Sequence, residues 1–250
     1  MRSFSYSDYE SRLMDPDYIR MLQRPRVRFF KDCKRVLDLG CGPGIFLELL
    51  KEAGIDAVGA DRNEAIVEKA RQKGLCVIHS DLFDYLRGTE EDFDGILCSH
   101  VLEHLPFREV VDLIERIDLR LLPGGTVVFV LPNPGSIRLH LFGFWRDPEH
   151  VRFYTGNLIG SVCQHYGLKL EYSSEEEEPN RLEVPRLEPL SILSEAKGWQ
   201  NLFGKRNDLE SFLHEFNGKL EAFNEKMERF AEALNKIWSR DDEVVLVLRK

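Results

Sequence analysis

The chain has no CxxC pair, no cysteine and histidine spacing suited to zinc, and no apolar run approaching the roughly 18 residues that a membrane span requires. Its five cysteines, Cys33, Cys41, Cys76, Cys98 and Cys163, are scattered, and three fall in or beside predicted buried strands, which fits a reducing compartment. The first residues, Met1-Arg2-Ser3-Phe4-Ser5-Tyr6, lack the apolar stretch of a secretory signal. The expectation is a soluble cytoplasmic protein, neither exported nor integral to a membrane. Positive charge is also short: 34 lysines and arginines face 43 acidic residues, for a net charge of -9. Such a field repels phosphodiester polyanions, so no nucleic-acid partner is expected without a local basic patch. Against these absences, 43% of the 250 residues are hydrophobic, enough for a packed α/β domain or a domain with an appendage.

Apolar runs alternate with turn signals from about residue 35 to 175, the pattern of a parallel sheet covered by helices. Strands are expected at Arg35 to Leu39, Ala57 to Ala60, Cys76 to His79, Gly95 to Cys98, Thr126 to Leu131 and Leu168 to Tyr172, with a seventh at Val244 to Leu248. Several are continuously apolar, as a sheet covered on both faces demands. Pro123-Gly124-Gly125 reads as a turn ahead of the fifth strand.

After the sixth strand the composition changes. Glu175 to Glu178 is an acid run, and Pro179, Pro185 and Pro189 mark a linker. Apolar residues then recur at Leu209, Leu213, Phe216, Leu220, Phe223, Met227, Phe230, Leu234 and Ile237, alternating steps of four and three. This is a heptad seam over residues 207–239. Two readings compete: an amphipathic helix folded onto its own chain, or a coiled-coil contact that makes a homodimer. The row Phe216, Phe223 and Phe230 is bulky for a parallel two-stranded zipper, which leaves antiparallel pairing or a lipid-facing groove open.

The segment Val36-Leu37-Asp38-Leu39-Gly40-Cys41-Gly42-Pro43-Gly44 runs from an apolar strand into alternating glycines, and a helix is expected from Ile45 to Ala53. Glycines let the chain turn sharply and let a ligand approach the backbone, while the helix N-terminus offers unpaired N–H groups. A nicotinamide fingerprint would read GxGxxG; this one reads GxGxG. Asp61 closes the second strand about twenty residues on, where an acid can accept from both ribose hydroxyls of an adenosine. Ser80-Asp81-Leu82-Phe83 follows the third strand. Each acid alone would read as a helix cap, but together they stand at successive strand ends, where ligands of parallel sheets bind.

With these motifs the chain resembles the class I S-adenosylmethionine-dependent methyltransferases. Asp94-Gly95-Ile96, His100-Val101-Leu102-Glu103-His104-Leu105 and Leu122-Pro123-Gly124-Gly125 look most like the ubiquinone-type O-methyltransferases and are also similar to O-antigen-modifying methyltransferases. The second likeness extends through Arg24 to Cys33 and through Asp147-Pro148-Glu149-His150. The resemblance implies a Rossmann-like, seven-stranded, mostly parallel sheet with helices on both faces, and S-adenosylmethionine as cofactor. It implies cofactor contacts from Asp38, Gly40, Cys41, Gly42 and Gly44 in the first turn, Asp61 and Arg62 after the second strand, Asp81 and Leu82 at the adenine, and Ser99 and His100 after the fourth strand. It covers residues 34–175 and 243–250. Residues 1–33 are expected to form a helical cover, and 176–242, a linker and the heptad helix, depart from the minimal family pattern.

Methyl transfer from a sulfonium is a direct displacement, so alignment of the acceptor matters most and an alcohol acceptor needs a base. His104 and His150 are the candidate catalytic residues, since histidine titrates in the right range. Duller roles compete: His104 can brace its helix, and His150 can belong to an ordinary surface loop. No metal is assigned, although His100, Glu103 and His104 offer an alternative cluster for a divalent ion. Arg20, Arg24, Arg26, Arg28, Lys31, Lys34 and Arg35 make the N-terminal approach locally basic, either as a solvated face or as a wall for an anionic acceptor. The combined expectation is O-methylation of a saccharide or small molecule. The alternatives are N- or C-methylation of a small metabolite, and a non-catalytic scaffold that assembles through the heptad helix.

Overall fold

The computed structural model describes residues 15–176, 184–189, 206–237 and 241–250, with 206–209, 236 and 237 described by backbone alone. The first fourteen residues of the expected N-terminal cover, most of the linker, and the side chains of Leu209 and Ile237 lie outside this set.

Seven strands form one sheet in the order β3-β2-β1-β4-β5-β7-β6. They are β1 (Arg35–Leu39), β2 (Asp56–Asp61), β3 (Val77–His79), β4 (Phe93–Ser99), β5 (Leu121–Pro132), β6 (Lys169–Ser173) and β7 (Glu243–Arg249). The first five run parallel, and β7 runs antiparallel to both β5 and β6. The helices are α1 (Pro16–Gln23), α2 (Ile45–Glu52), α3 (Glu64–Gln72), α4 (Leu82–Gly88), α5 (Phe107–Arg120), α6 (Gly156–His165) and α7 (Arg206–Ile237). A 3-10 helix, Arg24–Phe30, follows α1.

Side-chain alternation explains the unbroken apolar strands. Leu37 and Leu39 enter a core shared with Val110, Leu113, Ile114 and Ile117 of α5 and with Ile159 of α6. Val36, one residue before Leu37 and so out of phase with both, packs on the opposite face with Phe30 and with Phe46, Leu49 and Leu50 of α2. β7 repeats the pattern, sending Val244, Leu246 and Leu248 one way and Val247 the other. Each fully buried aliphatic side chain contributes about 2 kcal/mol, so a strand covered on both faces gains from apolar residues on either side. Polar caps start the helices: Asn63 Oδ1 accepts from the Ile66 N–H and Thr155 Oγ1 from the Leu158 N–H.

The expected turn at Pro123-Gly124-Gly125 is instead a bulge inside a longer β5. Phe93 pairs with Leu121, but Gly95 pairs with Thr126, so residues 122–125 bow out of the ladder. Gly124 takes φ +78° there.

The chain divides into two compact units, residues 1–178 with 241–250, and residues 179–240. In the second, α7 does not present its apolar row as one seam. Leu213, Leu220, Met227 and Leu234 are partly covered, and Asn224 and Ala231 are buried, whereas Phe216, Phe223 and Phe230 stay 39%, 50% and 57% exposed. At 100° per residue, the positions that share a face with Leu213 and Leu220 are 217, 224 and 231, and the phenylalanines fall beside that face. The extended segment 184–189 is pinned along the helix. Asn224 accepts from the Leu187 N–H at 3.1 Å and donates to its carbonyl at 3.0 Å, while Arg186 pairs with Glu221 and Glu228, one heptad apart.

Candidate active site

The carboxyl ends of the parallel neighbours β1, β2, β3 and β4 lie on one edge of the sheet, and the β1 turn stands among them. Gly40, Gly42 and Gly44 all take positive φ. Their roles differ. A Cβ at Gly40 would approach Val101 to 2.6 Å, and one at Gly44 would approach Leu75 to 2.5 Å, so these glycines allow close packing. A Cβ at Gly42 would meet nothing within 4 Å, so bare backbone faces open space. The turn is tied to β2: the Gly40 N–H reaches the Ala60 carbonyl at 2.8 Å, and the Gly42 N–H reaches Asp61 Oδ2 at 2.9 Å. Cys41 turns its thiol into the core beside Leu47 and Val67, leaving only its backbone at the turn; burial there pushes the thiol well above its ordinary pKa.

Asp38 is buried beneath this turn, and burial, with the Asp61 charge nearby, pushes its carboxyl up to about 7. Asp61 holds two backbone donors, Gly42 N–H and Asn63 N–H at 2.8 Å. Arg62 is exposed and pairs with Glu149 from the segment after β5, linking the two sides of the cleft. Asp81 caps α4, accepting on Oδ1 from the Phe83 N–H at 2.8 Å and the Asp84 N–H at 3.4 Å. The helix-cap reading and the strand-end reading of this acid are therefore compatible, since one oxygen makes both caps. Leu82 opens the helix beside it, half-buried.

At the end of β4, Ser99 has a buried hydroxyl oxygen without a hydrogen-bond partner. His100 is the one non-glycine residue with positive φ among the described residues, at +55°. An αL histidine costs on the order of 1 kcal/mol or more and persists only where its surroundings hold it. Here both ring nitrogens meet carboxylates: Nδ1 lies 3.0 Å from Glu103 Oε1 and Nε2 lies 2.7 Å from Glu243 Oε1. The ring is open to the cleft yet enclosed by these groups. Burial opposes its protonation, but Glu103 and Glu243 outweigh it and raise the pKa to about 10. Burial would likewise raise Glu243, but His100 and Arg26 hold it down at about 2. Arg26 is buried and pairs with the other Glu243 oxygen. The result is an alternating row, Arg26, Glu243, His100, Glu103. With both nitrogens engaged, His100 can meet a ligand only through its ring face or carbon edge.

Glu103 is 1% exposed, and its second oxygen, Oε2, has no partner, nor does Nδ1 of the neighbouring His104. The His104 and His150 rings stand edge to face with centroids 4.7 Å apart. Burial pushes the His104 pKa down; Glu103 opposes that and His150 adds to it. His150 Nδ1 lies 2.7 Å from the Phe144 carbonyl, and the ring packs on Phe144 at 4.4 Å, which stacks on Phe153 at 3.7 Å. The Val151 and Arg152 N–H groups both reach the Glu103 carbonyl, so the His150 segment is laced to the β4 turn. Glu103, His104 and His150 each bring a possible ligand atom within 4.8 Å of the others. His100, part of the metal alternative read from the sequence, is not in this trio.

The basic N-terminal approach is largely consumed by internal pairs. Arg20 pairs with Glu48 and Glu52, Arg24 with Glu52, and Arg35 with Asp56 and Glu91, while Arg26 is buried against Glu243. These four do not form a wall for an anionic acceptor. Sequence reasoning missed Glu243 and the role of Arg26, because nothing in the local pattern of either marks it as a site residue.

Bare glycine backbone, strand-end acids and a histidine pair thus lie at the carboxyl ends of a sheet of this order. The chain belongs to the class I S-adenosylmethionine-dependent methyltransferases, the family model described as a methyltransferase domain matching residues 8–173. It is 32% identical over 106 residues to the ubiquinone biosynthesis O-methyltransferase of Methylococcus capsulatus, covering 40% of this chain and 44% of that one. The protein of the same name from Chromobacterium violaceum is 28% identical over 157 residues, covering 55% and 66%. The chain thus spans about half the length of the curated relatives it matches. A SAM dependent methyltransferase from Archaeoglobus fulgidus shares the fold over 99% of this chain and 100% of its own, with a TM-score of 0.73 at 24% identity. Among the described residues no helix is long and apolar enough to cross a membrane.

The residues present fit the cofactor. Gly42 leaves room at the turn, Asp38 offers a buried carboxyl to an ammonium, and the Ser99 hydroxyl awaits a partner.

Proposed function

We propose that the protein methylates an oxygen of a saccharide or small-molecule acceptor, with His104 taking the acceptor's proton and His150 lining the acceptor pocket. The observation that carries this reading is the buried, unpartnered Nδ1 of His104 on a ring whose environment favours the neutral, proton-accepting form. S-adenosylmethionine supplies an electrophilic methyl group, open to direct displacement by the acceptor oxygen. In this reading Asp38 and the Gly40 turn hold its methionine portion, Asp61 its ribose and Asp81 with Leu82 its adenine. An alcohol ionises far above neutral pH, so a base beside it lowers the barrier. With a proton on Nδ1 the His150 ring donates to the Phe144 carbonyl and keeps a lone pair on Nε2, 3.9 Å from Asp147 Oδ2, to accept from an acceptor hydroxyl. N- or C-methylation would share the cofactor contacts; the buried base favours oxygen.

The test is calorimetric titration with S-adenosylmethionine and S-adenosylhomocysteine, with Asp61→Ala as control, followed by transfer assays on lipid-linked and phosphorylated sugars and on phenols. Binding that the variant loses supports the cofactor site, and transfer that His104→Asn loses supports the base. A folded protein that binds neither cofactor form would overturn the reading and favour a scaffold.

We also propose a homodimer through α7, supported by the exposed row Phe216, Phe223 and Phe230 at heptad spacing. The five cysteines are free, which supports a reducing, cytoplasmic setting.

A further inference from the structure

We infer that Glu243, anchored by Arg26, is a positioning residue of the active site, holding His100 as an imidazolium whose Nδ1–H fixes Glu103 beside the His104 and His150 pair. The inference rests on the reading of His104 as base and adds two groups drawn from opposite parts of the chain.

The geometry carries it. A neutral imidazole has one N–H and one lone pair, so it can donate to one carboxylate only. His100 has a carboxylate oxygen at hydrogen-bond distance from each nitrogen, Glu103 at 3.0 Å and Glu243 at 2.7 Å. Both contacts are favourable only when both nitrogens carry protons. Glu243 would in turn be left with an unpaired oxygen, but buried Arg26 takes it. The groups that face His100 are Glu103 from the turn after β4 and Glu243 from β7; Arg26, from the 3-10 helix, stands behind Glu243. The positive φ of His100 directs its ring into this bracket.

The consequence falls on Glu103. Its Oε1 is occupied by His100 and its carbonyl by the Val151 and Arg152 N–H groups. The carboxylate is therefore held at one oxygen while Oε2 remains unpartnered, and a carboxylate oxygen of Glu103 lies within 4.8 Å of a nitrogen of each of His104 and His150. His104 is faced by Glu103, His150, Asp147 and Glu149. Of these, Glu103 sits in a fully buried position, where a fixed carboxylate can orient the imidazole and stabilise the charge it gains on taking a proton.

The experiment is nuclear magnetic resonance of the full chain with 15N-labelled histidine, assigned with a His100→Gln control, between about pH 5 and 9. In the wild type both His100 nitrogens are expected to report as protonated across that range. Glu243→Gln should bring the His100 titration into the window, and Glu243→Asp should restore the doubly protonated ring. Arg26→Met leaves the Glu243 carboxylate in place, so His100 should stay protonated; general damage would instead move both variants the same way. A wild-type His100 that titrates as a neutral tautomer within this range overturns the inference, and this arm stands even if Glu243→Gln fails to fold. If the His100 pattern is as expected but His104→Asn still transfers methyl groups, the base assignment fails while the bracket on His100 stands.

Discussion

The rings of His104 and His150 meet edge to face with centroids 4.7 Å apart, and only His150 has a nitrogen committed to a carbonyl, that of Phe144. The two histidines are therefore not equivalent. His104 keeps an unpartnered Nδ1 and is suited to receive a proton, while His150 is fixed to present one nitrogen.

His104→Asn is expected to lower methyl transfer to an alcohol about 10²–10⁴-fold, the ordinary range for a general base, with cofactor affinity retained. Because burial lowers the pKa of His104, the acidic limb of kcat/KM should lie below the usual histidine range. His150→Asn should act mainly on KM. Steady-state kinetics against pH checks both.

Gly42→Val is expected to lose cofactor affinity by at least about tenfold, since its side chain enters open space rather than protein, with a stability cost of about 1–3 kcal/mol from placing a β-branched residue at φ +52°. Gly44→Ala differs: its Cβ would meet Leu75 at 2.5 Å on a residue at φ +79°. That change should cost stability, about 1–3 kcal/mol. Calorimetry and thermal melting separate the two effects.

Cofactor affinity should weaken with acid through the region around Asp38's pKa of about 7. The carboxylate form attracts the cofactor's ammonium and the protonated form does not, so lowering the pH favours the weaker-binding state. The dissociation constant is expected to rise by up to about tenfold per pH unit below that value. Asp38→Asn should bind weakly and without that slope, as read by titration from acid to neutral pH.

Phe223→Asp combined with Phe230→Asp should convert a dimer to a monomer in sedimentation, because both side chains are about half exposed on one face of α7. A wild-type protein that sediments as a monomer removes the dimer proposal.

The glycine turn and the strand-end acids were legible because their signals are local. Val36 to Gly44 carries strand, turn and helix start within nine residues, and Asp61 and Asp81 follow their strands directly. The histidine pair was legible only in part. His104 and His150 could be named, but their meeting depends on the lacing of Val151 and Arg152 to Glu103. Arg26 read as one member of a basic stretch, and its partner lies 217 positions away, a pairing no local pattern encodes. The heptad row on α7 was visible, yet the phenylalanines fall off the covered face. A sequence step of three or four drifts against the 3.6-residue turn, and Asn224 takes the covered position to hold Leu187.

The order of the sheet bears on how the molecule is made. β7 lies between β5 and β6, yet it is the final strand of the sequence, separated from the end of β6 at Ser173 by roughly seventy residues before it begins at Glu243. The partners on either side must wait for it with unpaired edges, and the closing loop is long, which slows non-local pairing. A ribosome-bound chain could thus finish its cofactor turn early while its Glu243 carboxylate was still unsynthesised. A chain interrupted before Glu243 would leave His100 facing the Glu103 carboxylate alone.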